Sequence, residues 1–581
     1  MAEPGVAAYD APTRPNVRCL VASDPSDPQS GTSKVGNPED TATGAPVERA
    51  RSRWERPMPP MGKVRRGPRR PGLRGRGQRV DAPDGPRPED RGVDERKRVR
   101  PGDRLRRGGF ITVTPSYYLP QGFAQAEERG RKIVVWGGIV GEKADVRVQH
   151  VGQNRIRARF AAPAQGEEPH PSRVRPVCEK YDACGSCPLM HLDQKGQHAA
   201  RLGILKRALE GVGLAEHMPE ELVTIEGGEL EYRHTAKLAV GRSDRGHIRV
   251  GAYRRGSHDL VAIPDCHVAT PGLRAAMKVT AHAVIDLDLG PWDPDGRDGP
   301  MRHIVLRQSR TTGKVLATIV AGWHDRAFFE LARMMCSVSA EIVGVHLHLN
   351  SKPGNAIYDY DPEEADAPGF TRLSGERTIT EEVCGFRLEV GPGDFFQVNP
   401  AIGERLIETA LDWLEPWRDR PVVDLYCGVG AFSVPLGDAH GRVLGIEMVG
   451  GAVQRAEDNA RRNRISAEFV AGRVGELLLE RSDRLRGKGA VVVADPARRG
   501  LEQGVLPAIF ACEPAVMLLV SCNATAFARD LKSLVKAGWD VLEIGAFDLF
   551  PQTVHLEVMA LVTPPKAPVL DGRAPQRRMV R

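Results

Sequence analysis

Cys522 lies in the run Val520-Ser521-Cys522-Asn523, at the end of an apolar stretch and beside the polar side chains of Ser521, Asn523 and Thr525. A thiol in that setting is not placed like a core cysteine, and as thiolate it is a nucleophile. Two polar motifs bracket it: Asp495-Pro496-Ala497-Arg498-Arg499-Gly500 before, and Phe550-Pro551-Gln552-Thr553-Val554-His555-Leu556-Glu557 after. Each is weak alone, because buried cysteine and Asp-Pro turns are both common. All three fall at strand ends or loops, where doubly wound proteins place ligand groups.

A second constellation runs from Val422 to Ser433, V-V-D-L-Y-C-G-V-G-A-F-S. An apolar strand ends there in a turn whose Gly428 and Gly430 let the backbone approach a ligand closely. Glu447 ends the next strand, 19 residues after Gly428, where a carboxylate can accept hydrogen bonds from ribose hydroxyls. The pattern points to a nucleoside cofactor. Ser433 stands where a dinucleotide fingerprint needs its third glycine, which disfavours NAD and favours S-adenosylmethionine.

The third is a thiol cluster. Cys178, Cys184 and Cys187 form C-x5-C-x2-C, and Cys266 follows far downstream in I-P-D-C-H. Three clustered thiols plus a remote one suit an iron-sulfur cluster at least as well as zinc, for which His191 or His267 could supply a ligand. Cys19, Cys336, Cys384, Cys427 and Cys512 have no ligand spacing and are expected to be inert.

Elements must carry these groups. At roughly 150 residues per domain, 581 residues predict three or four units. Residues 1–109 hold 16 of the 45 prolines and almost no aromatic residues, and Arg51 to Arg107 carry 20 basic against 8 acidic residues. That segment is expected to be a disordered tail able to attract phosphate backbones. Short β-rich runs over 110–165 suggest a small barrel, and 166–393 reads as an α+β domain bearing the cysteine cluster. From 394 to 581, a helix pattern over 400–417 precedes V-V-D-L-Y, V-L-G-I-E, V-V-V-A-D and V-M-L-L-V-S. Strands of that kind alternating with helices predict an α/β, doubly wound, Rossmann-like parallel sheet. No run of about 18 apolar residues exists and no apolar leader opens the chain, so a cytoplasmic protein without membrane contact is expected.

With those motifs assembled, the chain resembles the S-adenosylmethionine-dependent RNA uracil-5-methyltransferase family from about Ile111 to Val562. That family has, in this order, D-P-P-R-x-G, S-C-N and F-P-x-T-x-H-x-E, matched here by Asp495–Gly500, Ser521–Asn523 and Phe550–Glu557. Asp394-Phe395-Phe396-Gln397-Val398-Asn399 is similar to its F-x-Q-x-N segment. The resemblance implies Cys522 as nucleophile and Glu557 as general base. It also implies a cofactor site at Gln397, Tyr426, Gly428, Gly430, Glu447 and Asp495. Phe395 and Phe396 are candidates for stacking on a base, core packing being the expected role of at least one. Members with the C-x5-C-G-x-C segment carry a 4Fe-4S cluster, which would fall to Cys178, Cys184, Cys187 and Cys266.

The barrel resembles a TRAM domain, an OB-like RNA-binding fold, through G-G-I-V-G-E at Gly137 to Glu142. TRAM and cluster together imply 23S rRNA as partner, with tRNA as the rival substrate and no obligate protein partner. Three alanines depart from the pattern: Ala497 and Ala524 replace prolines, and Ala431 replaces a frequent asparagine. They motivate a non-catalytic RNA-binding or ribosome-assembly rival; cytosine-5 methylation, which also adds a thiol to C6, is a further one.

Overall fold

The computed structural model describes residues 98–99, 105–128, 130–354, 356–358 and 369–565. The expected tail, up to residue 97 and again at 100–104, lies outside these described residues.

The cofactor motifs lie on one eight-stranded sheet: β1 (Leu222–Val223), β2 (Val422–Leu425), β3 (Val443–Glu447), β4 (Ala467–Ala471), β5 (Val491–Ala494), β6 (Val516–Ser521), β7 (Asp540–Phe547) and β8 (Glu557–Thr563). Their order is β4-β3-β2-β5-β6-β8-β7-β1. Strands β2 to β6 run parallel, and β8 inserts antiparallel between β6 and β7. Every residue of β2, β5 and β6 is buried, which explains their unbroken apolar sequences. Alternate side chains feed opposite layers. Val423, Leu425, Val492, Met517 and Leu519 pack toward the helices Val505–Ala511 and Ala524–Lys536. Val422, Val491, Val493, Leu518 and Val520 pack toward the helices Pro400–Leu414 and Ser433–His440. Strand order reverses between β2 and β5, and the crevice beyond their carboxyl ends is where such folds bind ligands.

Preceding this sheet, six strands between Phe110 and Pro163 form a second sheet around an apolar core of Ile111, Val113, Ile133, Val135, Val146, Val148 and Ile156. A third, seven-stranded sheet between Thr235 and Gly375 packs one face against the helices Pro271–Asp286 and Ala327–Val338.

The sheet boundaries cut across the sequence divisions. Helix Gln194–Glu210, inside the stretch read as the central domain, buries Ala200, Ile204, Leu205 and Leu209 in the core beneath the C-terminal sheet. β1 follows it and pairs parallel with β7, Leu222 against Ala546 and Val223 against Phe547. The hairpin Ile379–Val383 and Phe386–Val390 joins the core on the opposite side through Ile379, Val383, Leu388 and Val390.

Candidate active site

The turn after β2 is left-handed at three points: Tyr426 at φ 64°, Gly428 at 54° and Gly430 at 88°. For the two glycines this backbone is unstrained, and a Cβ at Gly428 would point into open space. Glu447, one strand over, grips the turn: its Oε2 accepts from the Gly428 N–H at 3.2 Å and its Oε1 from the Val449 N–H at 2.9 Å. Burial pushes its pKa above the usual carboxylate range, against the pull of those backbone donors. Next to the turn lies a cavity lined by Gln397, Tyr426, Gly428 and Asp495, with Phe395, Phe432 and Asp424 completing its walls. Gly430 and Glu447 are not among the residues that line it.

Asp424 escaped the sequence reading. It is 1% exposed, its Oδ2 accepts from the Ser433 hydroxyl at 2.5 Å, and burial pushes its pKa up to about 7. The serine that breaks the dinucleotide fingerprint is therefore the partner of a buried acid at the floor of the crevice; its signal was the acid within V-V-D-L-Y. Both phenylalanines line the cavity, Phe396 from the core at 7% exposure and Phe395 at 67%. A glycine turn allowing close approach, a carboxylate at its rim and apolar walls fit a nucleoside carrying a sulfonium side chain.

Cys522 and Glu557 come near one another at the ends of two neighbouring strands. The β6/β8 ladder ends at the pair Ser521 and Val558. One residue beyond that pair on each strand come Cys522 and Glu557, and Glu557 lies close enough for its charge to act on the Cys522 thiol. Asp495 follows the end of β5 next door and lines the cofactor cavity, so it links the two halves of the site. Burial pushes the Cys522 thiol up to about 12, helped by the charges of Glu557 and Asp495 and opposed by Arg498. Glu557 is 2% exposed, and burial, then Asp495, holds its pKa well above the carboxylate range. Burial likewise lifts Asp495 to about 7. Arg498 donates to the His555 ring, 2.7 Å from Nδ1. Burial, then Arg498 and Arg233, lowers that imidazole to about 4, so it is neutral and can accept. Asn523 completes the corner: its Nδ2 donates to the Arg498 carbonyl at 3.1 Å while its Oδ1 caps helix Ala524–Lys536.

The four clustered cysteines are free thiols, none fully exposed. Cys178, Cys187 and Cys266 border a small core of Trp136, Tyr181, Met190, Tyr232 and Val268. Burial raises the Cys187 thiol above its usual value, and Cys266, Cys184 and Cys178 each add to that rise. Cys178 is raised by burial and then by Cys266 and Cys184. The structure thus brings the four near enough to feel one another's charge, although among the described residues no three His, Cys, Asp or Glu side chains converge as ligands of one metal ion. His191 is buried and committed elsewhere, its Nδ1 2.9 Å from the Tyr181 hydroxyl and its Nε2 3.2 Å from the Gly138 carbonyl oxygen. No helix among the described residues is long and apolar enough to cross a membrane.

Residues 382–564 match the family model described as tRNA (Uracil-5-)-methyltransferase. An uncharacterized RNA methyltransferase of Parasynechococcus marenigrum is 32% identical over 449 residues, spanning 76% of this chain and 92% of that protein. Another from Thermosynechococcus vestitus is 32% identical over 439 residues, spanning 74% of this chain and 93% of its own length. Among solved structures, the tRNA (uracil-54, C5)-methyltransferase of Pyrococcus abyssi in complex with S-adenosyl-L-homocysteine shares the fold at a TM-score of 0.59 and 21% identity, covering 78% of this chain and 100% of that one.

Proposed function

This chain belongs to the RNA uracil-5-methyltransferase family, S-adenosylmethionine-dependent enzymes, and on that premise we propose that it converts a uridine of 23S rRNA to 5-methyluridine in the cytoplasm, using Cys522 as nucleophile and Glu557 as base. What supports this reading is that the β6/β8 ladder ends one residue short of Cys522 and Glu557, with Asp495, which lines the cofactor cavity, acting on both.

Bound S-adenosylmethionine supplies an electrophilic methyl group. C5 of uracil is too weak a nucleophile to take it unaided. The Cys522 thiolate adds to C6, forming the Sγ–C6 bond and moving electron density onto C5, which then bonds to the methyl carbon as the methyl–sulfonium bond breaks and S-adenosylhomocysteine is left. C5 now bears both the methyl group and its original hydrogen. Glu557 removes that proton, the ring double bond re-forms, and the Sγ–C6 bond breaks to free the thiolate. Burial and Asp495 raise the affinity of Glu557 for a proton, which suits a group that must accept one. Gln397, Tyr426, Gly428, Gly430, Glu447 and Asp495 hold the cofactor; Glu447 keeps lone pairs for the ribose hydroxyls while pinning the turn. Exposed Phe395 is placed to stack on an unpaired base.

Cys178, Cys184, Cys187 and Cys266 hold a 4Fe-4S cluster in this reading, with zinc as the rival. The methyl transfer consumes no electron, so the cluster's task is to shape the protein. The six-stranded sheet acts as a TRAM-like RNA grip, and grip plus cluster are the grounds for 23S rRNA. A tRNA substrate is the second reading, favoured by the description of the matching family model. Mass spectrometry of nucleosides from separately purified 23S rRNA and tRNA, with and without the gene, decides between them. Loss of 5-methyluridine from 23S rRNA alone is expected; loss from tRNA alone would move the same chemistry to the other substrate.

A further inference from the structure

The loop that delivers Glu557 is held by residues of the cysteine-bearing segment. Gln552, five positions before Glu557, is 7% exposed and has a left-handed backbone, φ 68°. A non-glycine residue keeps that conformation only when its surroundings over-determine it. Here every polar group of Gln552 is engaged. Its N–H donates to Gln197 Oε1 at 2.8 Å, and its own Oε1 accepts from Gln197 Nε2 at 3.0 Å. Its carbonyl accepts from the Leu189 N–H at 3.0 Å, and its Nε2 donates to the Glu229 carbonyl at 3.3 Å. The neighbouring turns are fastened from the same side: the Tyr232 hydroxyl donates to the Pro551 carbonyl at 2.9 Å and Arg201 to the Thr553 carbonyl at 3.1 Å. Leu189 lies two residues beyond Cys187, and Tyr232 belongs to the core that borders the thiols.

We propose that Gln552 is a positioning residue, the pin of a latch by which segment 187–232 sets the approach of Glu557 to the Cys522 adduct. The inference rests on the reading of Glu557 as base. None of the latch's bonds is made to Cys522 or to its neighbours Ser521 and Asn523. Releasing it should therefore slow proton removal and leave thiol addition alone. Gln552→Gly removes the side-chain bonds while suiting the left-handed backbone, so it is the variant expected to stay folded; Gln197→Ala attacks the latch from the other side.

The test uses the full chain with a 23S rRNA transcript containing either uridine or 5-fluorouridine. Fluorine at C5 cannot leave as a proton, so the second RNA reports thiol addition and methyl transfer without proton removal. For both variants the expected result is a kcat lowered about tenfold or more with KM for RNA within about twofold. A denaturant-stable protein–RNA complex should accumulate on ordinary RNA, while adduct formation with 5-fluorouridine RNA proceeds at the wild-type rate. Turnover at the wild-type rate, or loss of 5-fluorouridine adduct in proportion to turnover, would overturn the latch and leave the assignment of Glu557 standing. Absence of any adduct in the wild-type protein would overturn that assignment, and the latch with it.

Discussion

Replacing Glu557 by glutamine separates the two halves of the reaction. The Cys522 thiol is pushed up to about 12 by burial and then by Glu557 and Asp495. At pH 7 such a thiol is ionised in about one molecule in 10⁵, and the thiolate fraction rises about tenfold with each pH unit. Adduct formation should follow that slope between pH 7 and 9. Glu557→Gln keeps the shape but deletes one of the charges holding the thiol up. No group that lowers the thiol is lost, so addition to C6 should be as fast as in the wild type or faster. Proton removal loses its base and should slow by about 10²–10⁴. In the wild type, the raised pKa of Glu557 means the base is lost as pH falls through it, so adduct should persist longer on the acid side. Rapid-quench mixing of enzyme with labelled 23S rRNA transcript, resolving covalent complex from free RNA on a denaturing gel, measures both rates. A Glu557→Gln protein that loses addition and release in equal proportion, or a wild-type addition rate flat between pH 7 and 9, would refute this reasoning.

Glu447→Ala unpins the glycine turn and removes the ribose acceptor, and calorimetric titration with S-adenosylhomocysteine should show affinity weakened about tenfold or more; unchanged affinity would remove Glu447 from the site. Arg201 is 0% exposed and donates to Asp548 at 2.7 Å. Arg201→Met leaves that carboxylate buried without its main partner, and urea unfolding should show a loss of about 3–5 kcal/mol, partly restored by adding Asp548→Asn; a loss below about 1 kcal/mol would contradict the pairing. Protein purified without oxygen should contain iron and sulfide with a broad visible absorption that Cys187→Ser abolishes, whereas one zinc and no iron would replace the cluster by the rival metal.

What the sequence made legible follows the physics of each element. β2, β3, β5 and β6 could be read because the strands are buried on both faces or nearly so, and continuous apolar runs between glycine turns have few other readings. Helix Gln194–Glu210 could not be placed on that sheet, because its buried face includes Gln197 and Arg201 beside the aliphatic residues and shows no clean apolar stripe. β1 has two residues, too few for any periodicity. The three motifs proposed to be catalytic were visible as residue types, but the closeness of Cys522 and Glu557 depends on β8 inserting antiparallel beside β6, a tertiary event that no local pattern encodes. Gln552 drew no reading of its own for the same reason: its partners Leu189, Gln197 and Glu229 lie more than 300 positions away.

The most direct test of the central claim is the covalent bond itself. Incubating the protein with S-adenosylmethionine and 5-fluorouridine-containing 23S rRNA, digesting both polymers and sequencing the cross-linked peptide by mass spectrometry should give a methylated fluorouridine attached to Cys522, absent from Cys522→Ala. A cross-link on another residue, or none with RNA in which ordinary uridine is methylated, would contradict the mechanism.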